Sequence, residues 1–186
     1  MLKNCLAALT AALFLAFTPA FGLDAHEHGA AKLNLAIEGD TVEVGFETPL
    51  INLISFERAP QNEQEREEVR KMADLLRHPQ TLFLFPKGAD CRLKTLNLES
   101  EVLADELLGI SDPAEKHSED ADDHKAEHAD LDAEFIFTCQ NPAALNQIEV
   151  GLFKAFHALK RIEAQLVTPR GQKATSLTPR ANLLTW

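Results

Sequence analysis

Of the seven histidines in this chain, three fall within a single stretch of 24 residues, SDPAEKHSEDADDHKAEHADLDAE, residues 111–134. His117, His124 and His128 are spaced seven and four apart. At about 100° per residue they lie within roughly 40° of one helix face, so an ion could order the stretch and gather two or three imidazoles. Asp120 falls on the same side. Imidazole nitrogens with carboxylate oxygens are the usual donors for a borderline divalent ion such as zinc, and they accept copper and nickel too.

A second cluster is His26-Glu27-His28-Gly29. Histidines at alternate positions point the same way along an extended strand, and a chain amine could join them if a leader is removed after Ala25. Glu27, Glu57 and Asp120 are the carboxylates available to complete a shell. A frayed terminus or a solvated acidic linker would hold the same residues without metal. Five of seven histidines in polar stretches, however, is not the distribution of packed core histidines. His78, before Pro79 at the end of a predicted helix, suits a capping role that complements the helix dipole. His157 lies among apolar neighbours in LFKAFHAL and reads as a core or boundary residue.

The amino terminus has the layout of a secretory signal peptide: Lys3, the apolar run Cys5–Phe17, then small residues that allow cleavage after Gly22 or Ala25. That run is shorter than the roughly 20 residues of a membrane span, so residues 26–186 are expected to form one domain in the periplasm. Export leaves Cys91 and Cys139 as an even pair in an oxidising compartment, where a disulfide is the default and a pair of thiolate ligands the alternative.

The elements that must position these groups are mostly strands. Leu33, Leu35 and Ile37 alternate with polar residues, Gly39-Asp40 is a turn, and Val42, Val44 and Phe46 resume the alternation: a β-hairpin. Asn62–Arg77 predicts an amphipathic helix with Val69, Met72, Ala73, Leu75 and Leu76 toward one side. Strands are predicted at 81–85, 91–98, 134–139 and 161–168, a short helix at 152–159, a turn at 169–172, and one or two closing strands in the tail from Leu177 to Leu184. The sum is an α+β domain, mainly antiparallel, with one long and one short helix. Segment 111–134 is predicted to be a mobile, disordered loop, its ends pinned to the sheet by the two cysteines.

The formal net charge is −11, and residues 111–134 supply −8 of it, with ten acids against two lysines. Such a balance excludes the phosphate neutralisation on which nucleic-acid binding depends and attracts cations instead. Catalytic signatures are missing: there is no Gly-x-Ser-x-Gly elbow, His-Glu-x-x-His helix or phosphate-cradling glycine loop. A binding protein is expected, not an enzyme. Metal capture competes with a second reading, an envelope adaptor whose acidic loop docks a basic partner. A metal-dependent hydrolase is a third and weaker option.

HEHGAAKLNLAIEGDTVEVGFETPLINLISFERAP, the acidic helix after Pro60, the step Ala89-Asp90-Cys91, the histidine-bearing insertion, EFIFTC, and LFKAF followed by RIEAQLVTPRGQ together resemble the ZrgA family. That resemblance implies a periplasmic zinc-binding protein that assists an ABC-type zinc transporter, with His26, His28, His117, His124 and His128 as zinc ligands. The insertion here is sparser in histidine than the family's dense His-x-His runs. His157 stands where the family would place a proline.

Overall fold

The computed structural model describes residues 27–109 and 129–186. The leader, His26, His117, Asp120, His124 and His128 lie outside the described residues. Strands β1 (Ala30–Glu38) and β2 (Thr41–Pro49) form the expected hairpin, with Glu38 opposite Thr41 across the Gly39-Asp40 turn. The other strands of the large sheet are β4 (Cys91–Glu99), β5 (Asp130–Cys139), β7 (Arg161–Thr168) and β8 (Gly171–Leu177). The order is β4-β5-β2-β1-β7-β8, antiparallel throughout except between β1 and β7. A smaller antiparallel sheet runs β3-β6-β9, from Phe83–Leu84, Gln147–Val150 and Leu183–Thr185.

Alternation decides which face of the large sheet is buried. Leu33, Leu35, Val42, Val44, Phe46, Leu131, Ala133, Phe135, Phe137, Ile162, Ala164 and Leu166 all point into one core, and the residues between them face outward. The small sheet closes over that core, with Phe83 packed edge-on against Phe135 at 5.0 Å and Phe137 at 6.2 Å. Helix α1 (Glu63–Arg77) adds Val69, Met72, Ala73 and Leu76. Its first turn is closed by the Asn62 side chain, which accepts from the Glu65 amide at 2.9 Å. The architecture is the mainly antiparallel α+β domain that the sequence predicts.

Several local expectations are corrected. Leu75 is 41% exposed, because the buried stripe of α1 follows positions 69, 72, 73 and 76 and Leu75 falls outside it. The strand expected at 81–85 is only Phe83–Leu84, since Pro79–Thr81 forms a 3₁₀ turn. The helix expected at 152–159, α3, covers only Leu152–Ala155, although Phe156 and Leu159 remain buried beyond it. A short helix, α2 (Asp105–Leu108), was not anticipated. It ends at Gly109, where φ is +68° and a Cβ would fall 1.7 Å from the Arg77 guanidinium, so no larger residue fits without moving Arg77.

Strand β4 shows why its alternation is hard to read. The pairings Leu93↔Phe137, Thr95↔Ile136 and Leu96↔Phe135 leave Lys94 as the extra residue of a bulge. That bulge brings Leu93 onto the same side as Leu96 and Leu98. Cys91 and Cys139 stand opposite each other and form the disulfide, at the end of the sheet where the Cys139 amide also donates to the Asp40 carbonyl.

The insertion leaves after α2 and returns at β5, at the other end of the same strand pair. The cysteines therefore do not pin its ends. With nine residues in β4, the disulfide lies about 27 Å away along the strands. The loop is also shorter than the predicted 111–134: residues 130–134 are strand, because Leu131 and Ala133 continue the inward alternation of Phe135 and Phe137.

Candidate functional site

Six strand ends lie at the end of the sheet opposite the disulfide: the starts of β1, β5 and β7 and the ends of β2, β4 and β8. Pro49 pairs with Asp130 there, and the Leu50 amide donates to the Ala129 carbonyl at 2.8 Å. The residue before Ala129 is His128, and the residue before Glu27 is His26. Both histidine-bearing segments are thus attached to one end of the sheet, although more than 80 residues separate them in sequence.

The amino-terminal cluster is not extended there. The Ala30 amide donates to the Glu27 carbonyl at 3.0 Å, so His28 and Gly29 form the corner of a turn. Gly29 has φ +86°, the value a type II turn requires at its third residue and the reason glycine stands there. The expectation of two histidines projecting along a strand is corrected for His28. The corner of the turn presents His28 at the surface, its side chain 67% exposed.

His28 faces a carboxylate. Its Nε2 lies 3.5 Å from Glu57 Oε1, on the loop between the 3₁₀ turn Leu50–Asn52 and α1. Zinc bonds of 2.0–2.1 Å in a tetrahedron put neighbouring ligand atoms about 3.3 Å apart, so this separation suits two ligands of one ion. Glu27 turns elsewhere and pairs with the Arg161 guanidinium at the start of β7. Among the described residues, no three histidine, cysteine, aspartate or glutamate side chains form a group that could hold an ion.

The outward face beside this end is acidic. Pairing aligns Glu163, Lys32, Glu47, Asp132 and Glu99 in one row across β7, β1, β2, β5 and β4. Lys32 bonds Glu47 at 3.0 Å. Partial burial, then repulsion from Glu47, Asp130 and Glu99, holds the Asp132 carboxyl above the usual carboxylate range. An open cavity of about 240 Å³ lies between this row and the turn, lined in part by Glu27, Lys32, Glu47, Asp130, Arg161 and Glu163.

The other two histidines are not part of this site. His78 caps α1, its Nδ1 2.8 Å from the Asp74 carbonyl, as its position before Pro79 suggests. His157 is exposed, contrary to the core or boundary expectation, because α3 has ended and Phe156 and Leu159 take the inward positions. Sequence reasoning missed Asn52, whose buried side chain grips the turn at Gly29 and Ala30. The available signal was an asparagine interrupting the apolar run LINLISF.

Fold and site together define a small sheet-rich, disulfide-bonded domain with histidine-bearing segments attached at one end. The chain belongs to the ZrgA family of zinc uptake proteins, whose family model matches residues 25–186. Comparison with curated proteins finds no match. Membership ties the protein to zinc uptake, and among the described residues no helix is long and apolar enough to cross a membrane.

Proposed function

We propose that this protein is a periplasmic zinc carrier, not an enzyme, which captures Zn(II) and assists an ABC-type uptake system. The observation that carries the reading is His28 Nε2 facing Glu57 Oε1 at 3.5 Å, at the sheet end to which both histidine-bearing segments are attached. His28 and Glu57 supply one edge of the shell. His26 from the amino terminus and His117, His124 and His128 from the insertion supply the rest, with Asp120 and Glu27 as further carboxylates. Glu27 would have to leave Arg161 to bind, so it is the weakest member of the set.

Zinc is cargo in this reading. Surface donors borne partly on a chain terminus and an insertion favour capture and release over the fixed geometry that hydrolysis demands. The acidic row beside the site draws cations toward it. A zinc titration by calorimetry at pH 7.5 and 5.5 tests the proposal. Imidazoles ligate only when neutral and ordinarily titrate near 6.5, so affinity falls about tenfold at pH 5.5 for each histidine bound. Equal affinity at the two pH values would rule out a histidine site.

A further inference from the structure

We propose that Asn52 is a positioning residue for zinc capture: it fixes the Glu27–Ala30 turn so that His28 is held facing Glu57. The inference rests on the zinc-carrier reading and adds to it a residue that never touches the ion. Thr48 and Asn52 are the buried polar side chains among the described residues, 1% and 2% exposed. A buried amide is costly unless its hydrogen bonds are made, so what Asn52 bonds shows what it is for.

Asn52 Oδ1 accepts from the Gly29 amide at 2.6 Å, and its Nδ2 donates to the Ala30 carbonyl at 2.7 Å and to Thr48 Oγ1 at 2.9 Å. From the other side, the Gly29 carbonyl accepts from the amides of Lys160 and Arg161 at 2.8 and 3.0 Å. Gly29, the residue after His28, is therefore held from two directions, through its amide and through its carbonyl. The same 3₁₀ turn holds the returning insertion, through the Leu50 amide and the Ala129 carbonyl. Three residues, Leu50–Asn52, thus bracket both segments, and Asn52 is the side chain that grips the amino-terminal one. Without it, the side-chain contacts left to the turn among the described residues are the exposed Glu27–Arg161 and His28–Glu57 pairs, and such pairs contribute little.

The test uses the full chain with zinc chloride at neutral pH, read by calorimetry and by the NMR signals of the His28 ring. Asn52→Ala weakens zinc binding about tenfold, the scale of a lost supporting contact around a metal site, and shrinks the zinc-induced shift of His28. Gly29→Ala, which strains the same turn through its φ of +86°, does likewise and carries the test if Asn52→Ala does not fold. Val69→Ala in α1 controls for lost stability: it lowers the melting temperature yet leaves zinc affinity and the His28 shift at wild-type values. Wild-type affinity in Asn52→Ala or Gly29→Ala overturns the positioning role, as does an equal loss in Val69→Ala. A wild-type His28 that does not respond to zinc overturns the site itself, a result distinct from the others.

Discussion

Replacing His117, His124 and His128 together by alanine lowers zinc affinity at least 100-fold in a neutral titration while the far-UV spectrum keeps its shape. A four-ligand zinc site supplies about 10–16 kcal/mol, or roughly 3 kcal/mol per ligand, and each 1.4 kcal/mol is a factor of ten. The loss of one imidazole from the shell is therefore worth about two orders of magnitude. The fold tolerates the change because the described core is built from residues on either side of the insertion, among them Leu108 before it and Leu131 after it. Adding His28→Ala to the triple variant reduces affinity by less than it does alone if the segments share an ion, the non-additivity expected of ligands in one shell. Unchanged affinity and stoichiometry in the triple variant would remove the insertion from the site.

The largest stability effect belongs to the disulfide. Converting Cys91 and Cys139 to serine opens a loop whose ends are 48 residues apart, a loss of about 4 kcal/mol in the chain-entropy account. Against the roughly 5–15 kcal/mol that holds a domain together, that is a large share. For a domain of this size it lowers the melting temperature by about 8–16 °C in a calorimetric scan. Zinc affinity of the folded serine variant stays within about twofold of wild type, because the bridge lies at the end of the sheet opposite the one that carries His28. A serine variant that melts like wild type contradicts the loop argument. One that melts lower and also loses zinc contradicts the separation of bridge and site.

Alternation in β1, β2 and β7 and the N-cap and apolar stripe of α1 were legible because each is set by residues close in sequence. β4 was harder, since Lys94 at the bulge breaks the two-residue period on which the reading depends. Leu131 falls in the stretch 111–134 that composition marks as a loop, although Ala133 shares its inward face and joins it to Phe135. The histidine clusters stood out by composition. Their attachment to one sheet end did not, because it follows from long-range pairings: β2 with β5, and β1 with β7 across 130 residues. The partner of His28 was visible only as one acid among many until the loop after Asn52 set Glu57 beside it.

Zinc-edge anomalous scattering from crystals grown with stoichiometric zinc tests the central claim most directly. The account predicts an anomalous peak within about 2.0–2.2 Å of His28 Nε2 and of a Glu57 carboxylate oxygen, at the sheet end where Leu50 meets Ala129. A peak confined to another part of the protein, or none with zinc bound in solution, would contradict it.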